Sequence, residues 1–443
     1  MLFFLDLLII VGGGALILFL FSKIKVPALI GYLLMGILIN AVSLMDPNLE
    51  AISPYIRKIA LVIILIKAGL TLDISDLKKV GRPAVMMSFM PAVVEMVTVG
   101  LVAPLFFPLT YIESFTLGAV LGAVSPAVVI PMMSKLIEKK RGTNHGVPQL
   151  ILAGSSIDDI VMIVFYQAFI SIESGGSINV MTFLNIGIAI ISGITVGILL
   201  GLVLAVIFKK ISIDNIVKLL FIIALGIGLT AFEMFLSQWF IFSSLLAVIT
   251  MCLVVRIKDK TLATNLMQIT SKVWIPAEMF LFFLVGASIK VEYATKYFLP
   301  ALALLGISLV MRSLMVSTCL IKTKLNAKER IFTVISYLPK ATVQASIGGG
   351  LLDLGNQMLS EGLANAEVVI AAGTIVLSVS VLSILVTAPL SALTMNLTYT
   401  KLLPDDAYQT TLDAYKEVEN MESNPNDSDT FKSVDELIDD LNK

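Results

Sequence analysis

Histidine occurs once in this chain of 443 residues, cysteine and tryptophan twice each, and charged residues make up only 14% of it. Each scarcity excludes something. A single histidine cannot build a multi-histidine metal centre, and His145, in the basic loop EKKRGTNHG, reads as a solvated loop side chain rather than a pH-responsive one. Cys252 and Cys319 both fall inside apolar stretches, so neither a disulfide framework nor a zinc site follows from them. So little charge, with 57% hydrophobic residues and a mean hydropathy of +0.96, rules out a soluble domain of this length. The net charge of −1 is uninformative, because the charges matter through where they sit. What the chain has in quantity is uninterrupted apolar sequence.

Thirteen apolar runs are long enough to cross a bilayer, at about 2–22, 27–45, 56–72, 84–107, 114–136, 149–171, 180–208, 217–235, 240–255, 273–289, 298–321, 331–351 and 366–398. The first contains Asp6 and lacks both a basic leader and a small-residue cleavage site, so it reads as a retained span rather than a signal peptide. Lys and Arg are divided unevenly between alternate loops. Clusters within 23–25, 78–82, 135–141, 209–218, 256–272 and 322–330 hold twenty of them; the other set holds only Arg57, Lys58, Lys290 and Lys296. The positive-inside rule then puts the N-terminus outside the plasma membrane and the C-terminus in the cytoplasm. Beyond Leu403 the sequence turns polar and acidic. Residues 1–403 read as the membrane domain, and 404–443 as a largely disordered cytoplasmic tail with one short amphipathic helix near Val434–Leu441.

A few polar residues stand inside the spans. In ILAGSSIDDIVMIVFYQAFIS (151–171), Asp158 and Asp159 lie about ten residues in from the loop, roughly 15 Å deep and near the midplane. A charged Asp facing lipid there costs about 2.5–3.5 kcal/mol, so two adjacent ones require a wet cavity or partners, and an ion or proton pathway is the default reading. The plainer alternative, two capping or core-bonded aspartates, is outweighed by what accompanies them. The fifth span contains GAVSPAVVIP, with Pro126 and Pro131; the twelfth contains YLPKATVQASIGGG, with Pro339 followed by Lys340, Thr342, Gln344 and Ser346. Proline removes a backbone donor and interrupts a helix, which at this depth is tolerated only against protein or a water-lined cavity. Two interrupted helices at corresponding places in the two halves point to a transporter site.

With the seventh span as linker, spans 1–6 and 8–13 run in opposite directions and form inverted repeats. The fourth then pairs with the eleventh, which sets Glu95 and Arg312 at equivalent depth and predicts an ion pair between them, since burying either alone would be very costly. The alternative is that each pairs elsewhere, Arg312 with Asp158 for instance. Lys67 and Glu278, near cytoplasmic ends, and Glu233, toward an outer end, read as structural or rim residues.

Together GAVSPAVVIP, GVPQLILAGSSIDDI, LIKAGLTLD, VMRSLMVS and LPKATVQASIGG resemble the cation/proton antiporter superfamily. The resemblance is to its NHA-type sodium/proton antiporters, with NapA- and NhaA-like bacterial antiporters as more distant relatives, and it extends to about residue 400. It implies an all-α polytopic membrane protein with the NhaA-like antiporter fold: thirteen transmembrane helices, inverted repeats, and a core moving against a dimerisation domain in a homodimer. It further implies two crossed interrupted helices, at Ser125–Pro126 and Pro339–Lys340, beside the ion-binding Asp158 and Asp159. Asp159 would be the direct ligand and Arg312 the basic core residue, with no cofactor beyond the transported Na⁺ or Li⁺ and H⁺.

The residue chemistry suits exchange on its own terms. One buried carboxylate can hold a proton or a sodium ion on the same oxygens, and that competition couples the two fluxes. Asp159, Asp158, the hydroxyls of Ser155, Ser156 or Thr342, freed carbonyls near Ser125 and water make an all-oxygen set suited to a hard cation. Where electrogenic relatives are expected to carry a lysine, Arg312 cannot release a proton, so electroneutral exchange of one proton per sodium is expected, with Lys340 keeping an electrogenic route open. A Kef-type K⁺/H⁺ antiporter would usually bring a cytoplasmic nucleotide-binding domain, and the tail has no GxGxxG. A cation channel or membrane sensor would want rings of charge about an oligomeric axis. An intramembrane aspartyl protease is disfavoured because adjacent carboxylates on one helix point about 100° apart.

Overall fold

The computed structural model describes residues 2–24, 26–42, 45–71, 81–155, 158–174, 180–211, 213–236 and 242–406. They form helices throughout. In chain order these are α1 (Phe3–Lys23), which contains a π turn at Ile9–Gly13, α2 (Leu29–Ala41), α3 (Pro47–Thr71) and α4 (Arg82–Leu105). Next come α5 (Tyr111–Gly122), α6 (Pro126–Glu138), α7 (Val147–Ser155) and α8 (Asp158–Glu173). The chain continues through α9 (Val180–Lys210), α10 (Asn215–Leu236), α11 (Ser244–Lys258), α12 (Lys260–Ala287) and α13 (Phe298–Cys319). It closes with α14 (Ala327–Ser336), α15 (Thr342–Ile347), α16 (Gly350–Ser360) and α17 (Ala366–Leu402). Among the described residues, nine helical stretches are long and apolar enough to cross a membrane.

Four expected spans coincide with helices outside that set, for identifiable reasons. The helix at 27–45 is short, the one at 240–255 has 15 residues, the one at 56–72 carries Arg57, Lys58 and Lys67, and the one at 331–351 is broken into α14, α15 and the start of α16.

The helices pack in two groups. In the first, α2 and α3 lie along α12, α3 also packs on α10 and α11, and α9 lies along α11. In the second, α4 packs on α5 and α13, α5 on α8, and α17 on α14, α15 and α16. Close crossings in the first group depend on missing side chains. A Cβ at Gly36 would collide with the Phe283 carbonyl, and one at Gly286 with the Leu33 carbonyl, so α2 and α12 touch backbone to backbone. Along α9, Gly193, Gly197 and Gly201 repeat every four residues against the carbonyls of Ser243, Ala247 and Met251. Small residues at this spacing give the backbone approach that drives helix association where lipid supplies no hydrophobic contrast.

Several elements differ from the sequence expectation. Arg57 and Lys58 are not loop residues: α3 starts at Pro47, runs through Pro54, and takes both into the helix, with Arg57 buried. Likewise α12 begins at Lys260, capped by the Asp259 side chain on Leu262 N at 2.8 Å, so most of the expected 256–272 loop is helical. His145 is not merely solvated; its Nδ1 lies 2.9 Å from Oε1 of the buried Glu329, which also forms the capping box that starts α14. The chain past Leu403 stays docked as far as Asp406, whose carboxylate accepts from Thr143 N (2.5 Å) and Asn144 N (3.0 Å), while Asp405 pairs with Arg141. The remainder of the tail, with the helix expected near Val434–Leu441, lies outside the described residues.

Overpacking a tight crossing costs typically about 1–3 kcal/mol. Gly286→Leu should therefore lower the thermal unfolding midpoint of the detergent-solubilised protein, whereas Gly306→Leu, with open space at its Cβ position, should leave it unchanged.

Candidate ion-binding site

The site is built where two helices are interrupted side by side. α5 ends at Gly122, Ala123 and Ser125 are extended, and α6 begins with Pro126 at its first position, where a missing N–H costs nothing. Pro131, expected as part of the interruption, sits inside α6: the helix continues through it, and the break lies upstream at 123–125. In the second interrupted helix, α14 ends at Ser336 and α15 begins at Thr342, with Pro339 and Lys340 between them. The two breaks are hydrogen-bonded to each other, Ser125 N donating to Pro339 O at 2.9 Å.

Interrupting α5 exposes carbonyls at its C-terminal end, the negative end of its dipole, and these take cationic or amide donors. Arg312 Nη1 donates to Gly122 O at 2.5 Å and Lys340 Nζ to Ala123 O at 3.4 Å. Gln344 Nε2 spans Val120 O and Ala123 O, both at 3.0 Å. Arg312 Nε also donates to Tyr337 O, at the end of α14, at 2.6 Å. One guanidinium thus ties both breaks together. Its charge is met by Glu95 on α4: Arg312 Nη1 and Lys340 Nζ each lie 2.6 Å from the same Oε2, with all three side chains fully buried. Ser308 adds a longer contact to Glu95 Oε1 at 3.4 Å.

The adjacent aspartates are used differently. Asp158 Oδ2 accepts from Val124 N at 3.1 Å, at the positive start of α6, and from Arg312 Nη2 at 3.2 Å. Arg312 therefore holds Glu95 and Asp158 together, the two partners weighed as alternatives in the sequence. Among the described residues, neither a hydrogen bond nor an ion pair reaches the Asp159 side chain, and its Oδ1 is buried without a donor. Asp158 Oδ1, Ser125 Oγ and Thr342 Oγ1 are likewise buried without a partner, and Ser155 Oγ has only a 3.5 Å contact to Leu152 O. Ser156 lies outside the described residues. Sequence reasoning did not anticipate the Lys340–Glu95 pair or the part played by Tyr337 O and Gln344. The one available signal was the spacing of Lys340 and Gln344, four residues apart across the break.

A cavity of about 850 Å³ lies between the two helix groups, lined in part by Arg57, Tyr166, Gln167, Glu233, Ser346 and Asp353. Of its lining residues on α8, Val164 stands nearest Asp159 in sequence, five residues or roughly 7.5 Å along the helix. Glu233, expected at an outer rim, does line it and accepts a short hydrogen bond from Ser244.

The family model described as "Sodium/hydrogen exchanger, transmembrane" matches residues 7–392. The chain belongs to the sodium/hydrogen exchanger family. Among its relatives, Sodium/hydrogen exchanger 9B2 of Homo sapiens is 32% identical over 407 residues, which is 90% of this chain and 74% of that one. Sodium/hydrogen exchanger 9B2 of Xenopus tropicalis is 34% identical over 410 residues, 88% of this chain and 72% of that one. The fold is similar to that of the sodium proton antiporter MjNhaP1 from Methanocaldococcus jannaschii, with a TM-score of 0.76 at 23% identity, covering 90% of this chain and 99% of the other. The exchanger is thus a multi-pass membrane antiporter of the NHA type, a transporter and not an enzyme.

Removing one member of a buried charge pair costs about 3–5 kcal/mol, because the partner is left uncompensated. Glu95→Ala strands two buried cations at once and should depress the unfolding midpoint well below that of Ser308→Ala, measured on the purified exchanger.

Proposed function

We propose that the exchanger moves one Na⁺ or Li⁺ against one H⁺ by alternating access, with cation and proton competing for Asp159. The observation that carries this reading is the charge balance of the buried centre. Three carboxylates, Glu95, Asp158 and Asp159, share it with two bases, Arg312 and Lys340. The formal sum is one negative charge, which a single monovalent cation or a single proton neutralises. The unloaded centre retains an uncompensated buried charge, which is costly to carry past a closed gate. Loaded either way it is neutral, so the same sum that enforces coupling makes the exchange electroneutral. Lys340 is held by Glu95 at 2.6 Å, which favours its staying charged throughout rather than acting as a second proton carrier.

The cation would bind to oxygens of Asp159 and Asp158 with the hydroxyls of Ser155, Ser156 and Thr342 and water. That is a hard-cation set, and it is supported by Asp159 Oδ1 and Thr342 Oγ1 being buried without a hydrogen-bond partner among the described residues. No resident cofactor enters the scheme. The four shorter, broken or more charged helices bring the crossings to thirteen, with spans 1–6 and 8–13 as inverted repeats. α1–α3 with α9–α12 would form the dimerisation body of a homodimer, and α4–α8 with α13–α17 the moving core. The excess of Lys and Arg on one side supports an N-terminus outside the plasma membrane and a cytoplasmic tail, which makes the large cavity outward-facing.

In proteoliposomes, Asp159→Asn should reduce sodium-driven proton movement to the level of protein-free vesicles; full activity in that variant would remove the basis of the reading. Wild-type exchange should be indifferent to a clamped membrane potential, and transport that follows voltage would refute the one-for-one stoichiometry. Lowering the pH on the sodium side should raise the apparent KM for Na⁺ while leaving the maximal rate intact, as competition for one site requires.

A further inference from the structure

Two polar ties cross the large cavity, and each joins helices of different groups. Ser243, the N-cap of α11, donates through Oγ to Gln167 Oε1 on α8 at 2.6 Å. Arg57 on α3 donates through Nη2 to Asp353 Oδ1 on α16 at 2.7 Å, with side chains only 5% and 23% exposed. The second tie is the stronger, being charged at both ends and shielded from water.

Its seat is shaped for an arginine. Gly348 and Gly349 separate α15 from α16, which begins at Gly350. A Cβ at Gly349 would overlap the Arg57 guanidinium, and one at Gly350 would overlap the Tyr166 hydroxyl. The glycines thus form a notch in one helix group that receives a side chain from the other. A displacement of a few ångströms between the groups would withdraw the guanidinium and stretch a 2.7 Å bond past the limit of about 3.5 Å at which it still counts as one.

We propose that Arg57, seated in the Gly349 notch and bound to Asp353, is a latch that holds the exchanger with this cavity open and is withdrawn once in every transport cycle. The proposal rests on the alternating-access reading. It adds a positioning role for Arg57, Asp353 and Gly349, none of which belongs to the charged centre.

The test reads conformation rather than transport. Ser346, on α15, lines the cavity. Ser346→Cys, with Cys252 and Cys319 replaced by alanine, would be labelled by a membrane-impermeant maleimide in intact cells and in inverted vesicles, and the face that labels would be followed. Arg57→Gln and Asp353→Asn should each slow labelling roughly tenfold as the open population falls. Gly349→Ala should do the same with both charges intact, because its methyl group evicts the guanidinium, the movable end of a flexible side chain. Unchanged labelling in these variants overturns the latch. So does a loss confined to yield or unfolding midpoint, with the folded fraction labelling at the parent rate. Proton movement by Asp159→Asn in proteoliposomes is a separate readout, and it does not pass through the latch residues. The latch can therefore fail while exchange still depends on Asp159, and the binding-site reading can fail while the latch stands.

Discussion

One carboxylate oxygen holds the centre of this protein together. Oε2 of Glu95 is shared by Arg312 and Lys340, and those two bases satisfy the carbonyls that open when α5 and α14 stop short. The dependence runs both ways. Without the bases, broken helix ends would sit at membrane depth with unmet acceptors. Without Glu95, two cations would be buried with one direct contact to a carboxylate between them, that of Arg312 with Asp158. Interrupted helices are therefore affordable here because the charge that closes them is itself neutralised by an acid from a third helix.

The same arrangement explains why two neighbouring aspartates need not behave alike. Successive residues on a helix are turned by about 100°. Asp158 is turned toward the start of α6 and the guanidinium, and its Oδ2 is occupied by both. Asp159 is left with an oxygen to which no described residue donates. In the proposed scheme one acid organises the site and the other keeps its oxygens available, and adjacency on one helix would supply both.

Much of this was legible in the chain because it is written in quantities that are local. Apolar run length and the few acids standing inside apolar runs can both be read without knowledge of the fold. Proline was a coarser guide. It reports a missing donor but not which turn opens, so Pro126 marks a real break while Pro131, with the same chemistry, lies in continuous helix. Pairing across distance was legible only where the repeat supplied it, as for Glu95 and Arg312; the other long-range pairs were not. Lys340 lies 245 residues from Glu95, Arg57 lies 296 from Asp353, and His145 lies 184 from Glu329. A charge counted as a loop residue becomes a buried partner only when the helix carrying it is found to start nine residues earlier, as α3 does. No periodicity encodes that.

The separation of Glu95 from Arg312, 217 residues, has a consequence for how the protein is made. At about 5–20 residues per second, the ribosome delivers the arginine roughly ten to forty seconds after the acid. Asp158 and Asp159 enter during that interval as well. Each new molecule therefore passes through a stage in which its acidic half is in place and its basic half does not yet exist. During that stage protons, water or the insertion machinery must stand in for Arg312 and Lys340. The second half of the chain is the first half's counter-ion, and the membrane domain is complete only when synthesis has reached both.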